Sequence, residues 1–282
     1  MENTFNLTPN PDNFTVPPGL MVQFPGGVLA LEGNDQIRGS LESEIINGNA
    51  GQDILFGSDG NDNLQGGRDE DDLYGEVGRD SLIGGLGDDY IAGGDGDDIL
   101  NGGRGDDFLD GGAGNDTLSG DLGYTLYKGG TGSDVFVLRT DIVLGDPKRN
   151  PNSSVQAWDI ILDFENSLDR IGLTNGLTEA NVRLTTYSVP LQNIRLVSGR
   201  FPQESKISLA DLDPDRNGSY DATTIQIASN GQILGRVLNV TPSDQEFQRW
   251  YPPRDRSVES IPNLKSKILK KEHLSRASQS KI

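Results

Sequence analysis

Residues 93–120 read GGDGDDILNGGRGDDFLDGGAGNDTLSG and contain three near-copies of one nine-residue phrase. Glycine and aspartate dominate this phrase, although glycine costs backbone entropy on folding and neighbouring carboxylates repel one another. Laid out in nines from Ala30, the phrase continues without insertion for twelve units and ends at Val137. A fixed short period predicts a repeat architecture in which each unit completes the burial of its neighbour.

Four positions of the unit carry the pattern. Position one is Gly in every unit after the first, and position four is Gly in all units except those with Glu42 and Asp69. Position six is Asp in ten units, with Glu44 and Thr125 as departures: Asp35, Asp53, Asp62, Asp71, Asp80, Asp89, Asp98, Asp107, Asp116 and Asp134. Position eight is always large and apolar: Ile37, Ile46, Leu55, Leu64, Leu73, Leu82, Ile91, Leu100, Leu109, Leu118, Tyr127 and Phe136.

These positions predict an all-β fold. The first six residues of a unit, G-G-x-G-x-D, are typical of a turn, because glycine reaches positive φ without steric cost. The last three are expected to form a very short strand. Two strands per eighteen-residue coil, stacked at roughly 4.8 Å, would join the position-eight side chains into one apolar ladder. The sequence therefore predicts a parallel β-roll with turns along two edges.

In such a roll, turns eighteen residues apart are stacked neighbours. One edge then carries Asp35, Asp53, Asp71, Asp89, Asp107 and Thr125, and the other carries Glu44, Asp62, Asp80, Asp98, Asp116 and Asp134. Adjacent carboxylates at that spacing repel by roughly 1 kcal/mol even in bulk water, which indicates a divalent cation between them. Calcium suits carboxylates and glycine-turn carbonyls better than magnesium does, and the turns offer no nitrogen or sulfur ligand for a transition metal.

The units GGDGDDILN, GGRGDDFLD and GGAGNDTLS resemble the nonapeptide G-G-x-G-x-D-x-U-x of RTX proteins, the hemolysin-type calcium-binding repeats. The resemblance implies that each calcium is held between the turns of repeats i and i+2, by the position-six Asp and turn carbonyls. The implied pairs number eight: Asp35 with Asp53, Asp53 with Asp71, Asp71 with Asp89, Asp89 with Asp107, Asp62 with Asp80, Asp80 with Asp98, Asp98 with Asp116, and Asp116 with Asp134.

Three units depart from this pattern at position four or six. Thr125 supplies no carboxylate, so the site beyond Asp107 is expected to be weak. The unit at 39–47, GSLESEIIN, has Glu at both positions four and six. Asp69 replaces a turn glycine, but Asp tolerates the left-handed conformation, so we expect its unit to remain in the roll.

The chain divides into four segments by composition. We expect a largely irregular N-terminal extension at 1–29, the roll at 30–137, a β-rich capping domain at 138–250 and a basic tail at 251–282 that is disordered or partly helical. Asn230-Gly231 is typical of a hairpin turn. The piece WDIILDFENSLDRIGL, 158–173, resembles the D-x-I-x-D-F segment that follows the roll in secreted RTX proteins, and such a cap would cover the open end.

Two further places could hold calcium. Asp159 and Asp163 are expected on one face of a strand, where they form either a final calcium site or a solvated polar face. DPDRNGSYDATT, 213–224, has the spacing of an EF-hand-like loop at Asp213, Asp215, Asn217 and Asp221, but Thr224 stands where a bidentate acid belongs. A polar hairpin turn explains that loop equally well.

Composition restricts the partners. Residues 30–137 hold 24 Asp and Glu against 5 Lys and Arg, which disfavours nucleic acid and anionic membrane and favours cations. The chain has no cysteine and no apolar run long enough for a transmembrane helix. Its start lacks the features of a secretory signal peptide, and its basic end does not resemble a type I secretion signal, so export by type I secretion is implied only by the resemblance.

These features favour a secreted, calcium-binding structural or interaction protein without catalysis of its own. His273, in the tail, is the only histidine, and neither H-E-x-x-H nor G-x-S-x-G occurs. Two other functions stay open, an accessory protein of a secreted hydrolase and a surface-binding adhesin. A permanently disordered acidic tract is disfavoured by the regular apolar residue at position eight.

Overall fold

A computed structural model describes residues 3–138, 159–164, 168–173, 182–190, 219–227, 233–238 and 259–260. Almost every regular element in these ranges is a strand, and the one helix is the short α1, Leu20–Gln23. The strands up to the end of the repeats are β1 Phe5–Asn6, β2 Asn13–Thr15, β3 Val28–Leu29, β4 Gln36–Arg38, β5 Ile45–Ala50, β6 Ile54–Asp59, β7 Asn63–Arg68, β8 Asp72–Val77, β9 Ser81–Leu86, β10 Tyr90–Asp95, β11 Ile99–Arg104, β12 Asp107–Ala113, β13 Thr117–Leu122, β14 Thr125–Thr131 and β15 Val135–Leu138. Those that follow are β16 Asp159–Ile161, β17 Arg170–Leu173, β18 Val182–Pro190, β19 Ser219–Ile227, β20 Ile233–Leu238 and β21 Glu259–Ser260.

Successive strands of the repeat region alternate between two sheets. The first sheet has the order β1-β3-β5-β7-β9-β11-β13-β15-β17-β21, and the second has the order β2-β4-β6-β8-β10-β12-β14-β16-β20-β19-β18. Neighbours within the repeats pair in parallel, for example Leu55 with Leu73 and Leu64 with Leu82. The predicted parallel β-roll is confirmed.

The strands are longer than the sequence pattern predicts. Strand β6 covers positions seven to nine of one unit and positions one to three of the next, so the turn shrinks to positions four to six. Pairing between neighbouring strands skips position one and resumes at position two, where Gly94 lies opposite Gly112. Position two has positive φ in every unit except at Ser40, as at Gly94 (φ 111°), and this bends the strand between the two paired stretches. Asp69 adopts φ 71°, as expected for a turn residue.

The position-eight side chains form the core. All twelve are at most 1% exposed, and they build one continuous cluster along the roll axis. Each of these side chains is buried only because neighbouring coils lie above and below it. The apolar ladder inferred from the nine-residue period is therefore the core of the structure.

The N-terminal segment is more regular than expected. Strands β2 and β3 extend the two sheets, with Phe14 opposite Ile37 and Val28 opposite Ile46. The Asp12 amide donates to Asp35 Oδ1 at 2.7 Å. Asp12 and Phe14 thus take positions six and eight of a coil that lacks the usual glycines, which is why the nine-residue pattern does not reveal it.

The roll also continues beyond Val137. Strands β16 and β17 add to the two sheets, with Ile161 opposite Tyr127 and Ile171 opposite Phe136. Strands β19 and β20, which flank Asn230-Gly231, pair antiparallel, in agreement with the hairpin signal. The described part of the chain contains no helix long and apolar enough to cross a membrane.

Replacing Leu73 by alanine tests the apolar ladder. Leu73 is fully buried and lies between Leu55 and Ile91, its partners on the neighbouring strands of the second sheet. We expect Leu73→Ala to lower the free energy of unfolding by about 2–5 kcal/mol, measured by urea denaturation at saturating calcium. Ser81→Ala, at a strand position outside the core cluster, should change it little. Equal effects of the two substitutions would contradict the assignment of the core.

Candidate metal centre

The position-six side chains stack along two edges, as the eighteen-residue coil predicts. In each stack, the backbone amide of one position-six residue donates to Oδ1 of the Asp eighteen residues later. The Asp53 amide donates to Asp71 Oδ1 at 2.9 Å on one edge, and the Asp80 amide donates to Asp98 Oδ1 at 2.7 Å on the other. The same bond recurs from Asp35, Glu44, Asp62, Asp71, Asp89, Asp98 and Asp116 at 2.7–3.0 Å.

The second carboxylate oxygen has no such bond. Oδ2 is buried without a hydrogen-bond partner at nine of these residues: Asp35, Asp53, Asp62, Asp71, Asp80, Asp89, Asp98, Asp107 and Asp116. A buried acceptor left unsatisfied costs about 1–3 kcal/mol, and more when it is charged. A whole row of them indicates that a ligand of positive charge completes the turns.

Backbone carbonyls share the space around these oxygens. A Cβ built on Gly93 would overlap Asp98 Oδ2 and would lie 2.6 Å from the carbonyl oxygen of Gly111, in the next coil of the same edge. Gly48 has the same relation to Asp53 and to the Gly66 carbonyl. Neither glycine has positive φ, so position one is glycine because a side chain would fill the cradle between these oxygens.

The position-five side chains form a second ladder on the outside of the turns, which the sequence reasoning missed. The Asp106 amide donates to Asp88 Oδ1 at 2.8 Å, and the Asn115 amide donates to Asp97 Oδ1 at 2.8 Å. These bonds run in the direction opposite to those at position six. Stacked turns are therefore joined by hydrogen bonds in both directions, at position five and at position six. These bonds hold the inner Oδ2 atoms in place.

Burial raises the pKa of the inner carboxylates, partly offset by the backbone amides that bond to them and increased by neighbouring acids. The pKa rises to about 6 at Asp53 and Asp98, to about 7 at Asp62, Asp89 and Asp116, and to about 8 at Asp71. Burial holds the pKa of Asp107 well above its usual range. Carboxylates with such shifts need either protons or a cation to stay buried.

The donor set fits calcium. Among the described residues, no three His, Cys, Asp or Glu side chains converge on one point, so a cation at these turns would be held by single carboxylate oxygens and backbone carbonyls. Calcium accepts such sets of oxygens with flexible geometry. The buried Oδ2 rows and the glycine cradles therefore fit this ion.

The model of the RTX calcium-binding nonapeptide repeat matches the chain in four copies, at residues 29–64, 56–91, 65–100 and 92–125. Residues 29–125 belong to the RTX calcium-binding repeats. This match agrees with the resemblance carried by the nine-residue register. No curated protein matches the chain in sequence.

Thr125 interrupts the RTX ladder. The Asp107 amide donates to the Tyr124 carbonyl at 2.9 Å instead of to a side chain, and Asp107 pairs with Thr125 as part of the sheet. Thr125 Oγ1 also stands where a Cβ on Gly120 would be. The predicted weak point of the register is thus a turn straightened into strand pairing, without the cradle of the other turns.

Two later aspartates resume the ladders. The Thr125 amide donates to Asp159 Oδ1 at 3.3 Å, and the Asp134 amide donates to Asp169 Oδ1 at 2.9 Å. Asp169 was not among the sequence candidates. Its signal is the spacing D-x-U, because Asp169 precedes the buried Ile171 as position six precedes position eight. The nine-residue register hides it, since 35 residues instead of eighteen separate Asp134 and Asp169.

Asp163 does not accompany Asp159, so the expectation that they share one strand face is wrong. Strand β16 ends at Ile161, and the Asp163 carboxylate turns to the amides of Gly129 and Gly130, both at 2.8 Å. Burial raises the pKa of Asp163, offset by these two amides. Both of its oxygens accept a hydrogen bond from β14, so Asp163 attaches the segment after β16 to that strand.

The EF-hand-like loop is only partly described. Asp213, Asp215 and Asn217 lie outside the described residues. Asp221 lies in strand β19, opposite Ser188 of β18, and the pairing of β19 continues through Thr224. The end of the predicted loop is therefore extended, whereas a calcium loop of that type would curl around the ion.

The raised pKa values predict that the calcium-free protein is more stable at acidic pH than at neutral pH. A raised carboxylate pKa means that the folded state binds more protons than the unfolded state between about pH 4 and 8, so stability falls as pH rises through that window. For protein stripped of calcium on a chelating resin, we expect more β signal in far-UV circular dichroism at pH 5 than at pH 8.

Calcium should reverse this order, because protons compete with the cation for the same oxygens. The calcium concentration at half-maximal β signal is therefore expected to be higher at pH 5.5 than at pH 7.5. A calcium-free protein whose β signal is greatest at pH 8 would contradict the burial of these carboxylates.

Proposed function

We propose that the protein is a calcium-dependent structural scaffold whose roll folds when calcium fills the two turn edges. The observation that carries this proposal is the row of buried Oδ2 atoms, six of which lie beside a glycine cradle bordered by a backbone carbonyl, at Asp53, Asp62, Asp80, Asp89, Asp98 and Asp116. The proposed ligands are the position-six aspartates: Asp35, Asp53, Asp62, Asp71, Asp80, Asp89, Asp98, Asp107, Asp116 and Asp134. The ion at each step would lie between turns eighteen residues apart, with Asp107 as the last ligand of its edge before the interruption at Thr125.

The charge of the roll makes folding depend on the ion. The formal net charge of the chain is −19, and the buried carboxylates supply much of the repulsion. Without a cation, the roll at neutral pH holds unpaired charges in a desolvated interior, which is strongly unfavourable. Binding free energy of calcium therefore becomes folding free energy.

This dependence suits a protein that works outside the cell. Turn sites with dissociation constants of about 10⁻⁴–10⁻³ M, the range of extracellular calcium modules, would stay empty in the cytosol and fill outside. A chain that is loose before export and folds after it is what a type I secretion machinery could thread. The scaffold role agrees with the non-catalytic nature of the repeat family.

A calcium titration followed by far-UV circular dichroism tests the proposal. We expect β signal to appear with calcium, to be lost in excess chelator and to be much weaker with the same concentration of magnesium, which keeps its waters. The substitution Asp98→Asn removes one buried carboxylate and should raise the midpoint calcium concentration roughly tenfold, equivalent to about 1.4 kcal/mol.

The matched control is Asp95→Asn. It removes the same charge three residues away, from a side chain exposed on the surface that acts on Asp98 only through charge repulsion, and should shift the midpoint far less than Asp98→Asn does. Equal shifts for the two variants would indicate that only net charge matters. A β signal that is the same in calcium and in chelator would overturn the proposed function.

A further inference from the structure

Three acids of the N-terminal coil, Asp12, Glu42 and Glu44, accept hydrogen bonds from within the protein. Glu44 stands at position six, but its Oε2 accepts a hydrogen bond from the Ser40 amide at 3.0 Å and its Oε1 accepts one from the Ser40 hydroxyl. Glu42 Oε2 accepts one from the Gly19 amide at 2.8 Å. Asp12 Oδ2 accepts bonds from the amide and hydroxyl of Thr8 at 2.8 and 2.9 Å. These carboxylates need no cation, in contrast to those from Asp53 onward.

The first unit also lacks the cradle. Its position one is Ala30, which is fully buried, so by the register a methyl group lies where later units leave space beside the carboxylate. Among the acids of this coil, Asp35 alone keeps a buried Oδ2 without a partner. Its Oδ1 accepts the Asp12 amide, and its pKa is raised by burial. The first coil therefore carries one such oxygen, whereas each of the four coils that follow carries one at each edge.

An apolar cluster supports this coil from outside the repeats. The Phe5 ring stacks on Phe14 with centroids 5.2 Å apart, and Phe24 meets Phe5 edge-on at 5.3 Å. Val16, Leu20 of α1 and Val28 are buried in the same core cluster. Aromatic pairs contribute about 0.5–1.5 kcal/mol beyond their buried area. In the coils between 51 and 122, by contrast, each unit contributes one side chain to the core cluster.

Arg38 joins this region to the repeats that follow. Its guanidinium lies 4.0 Å from the centroid of the Phe56 ring, and its Nη1 is 3.0 Å from Glu76 Oε2, two coils further on. Both contacts lie on the outer face of the second sheet. They hold the next two coils in register with strand β4 without using the turn edges.

We infer that residues 3–50, called the N-terminal cap from here on, fold without calcium and act as the template on which the calcium-dependent coils stack. The cap presents strands β4 and β5 as ready edges for β6 and β7. In repeat proteins, each unit is stabilised by its interface with a neighbour, so a preformed first coil lets the rest propagate. The inference rests on the proposed function, since it divides the chain into a calcium-independent and a calcium-dependent part.

Hydrogen exchange of the full chain, followed by mass spectrometry in calcium and in chelator at pH 7.5, tests this division. In chelator, we expect peptides from the N-terminal cap to exchange at least about tenfold more slowly than peptides from 53–122, because local stability sets protection. In calcium, both regions should be protected.

The variant Ser40→Ala removes the hydroxyl that bonds to Glu44 and should reduce the protection of the cap in chelator. Ser81→Ala, in a calcium-dependent coil, is the matched control and should leave the cap unchanged. A double variant, Ser40→Gly with Glu44→Asp, restores positions two and six of the nonapeptide pattern and leaves Glu42 at position four. It should make protection of 39–50 depend on calcium, which loss of a single hydrogen bond alone would not do.

The outcomes separate the two claims. If the cap exchanges as fast as 53–122 in chelator while calcium protects both, the inference is wrong and the proposed function stands. If calcium changes neither region, the proposed function fails and the division has no basis. Protection of the cap alone in chelator, lost by the double variant, supports the inference.

Discussion

The structure depends on the different tasks of the two oxygens of each position-six carboxylate. Oδ1 accepts the amide of the turn eighteen residues earlier, which sets the vertical stacking of the coils. Oδ2 is buried without a hydrogen-bond partner at nine of these carboxylates, and at six of the nine it lies beside a space bordered by a backbone carbonyl of the next coil. The first bond fixes the carboxylate in a buried place, and this burial makes the second oxygen unfavourable until a cation reaches it. In the proposed function, folding and ion binding therefore use the same side chain.

This constraint explains why the repeat tolerates so much glycine. Gly93 leaves room for Asp98 Oδ2 and the Gly111 carbonyl, so its role is to keep the cradle open. Gly96, at position four, has φ 145°, and a Cβ there would overlap the Gly78 carbonyl of the coil below. These glycines lose more conformational entropy on folding than other residues would. They are nevertheless needed, because only glycine lets the coils stack closely enough for carboxylate and carbonyl oxygens to meet.

The sequence predicted the parts of the roll that repeat. Position eight indicated the ladder, as at Leu73, and the eighteen-residue coil indicated the two edges that Asp53 and Asp98 occupy. Thr125 was expected to be weak, and its turn is straightened. These predictions succeeded because a fixed period turns spacing along the chain into position in space, so that few alternatives remain.

The two ends of the roll could not be predicted from the sequence, because they do not follow the nine-residue period. Asp12 and Asp169 join the ladders through bonds over 23 and 35 residues, and no local pattern marks such separations. The hydrogen bonds between Glu44 and Ser40 were not predicted, because the repeat pattern records only that position six is acidic. Glu is longer than Asp, and its side chain reaches back to Ser40.

The central claim is that a calcium ion lies beside each buried Oδ2. A crystal structure of the protein grown in calcium, with an anomalous difference map collected at long wavelength, tests it most directly. The account predicts peaks between the stacked turns along both edges, including those joining Asp53 to Asp71 and Asp80 to Asp98, and no peak between Asp107 and Thr125. A folded roll without anomalous peaks at these turns would contradict it.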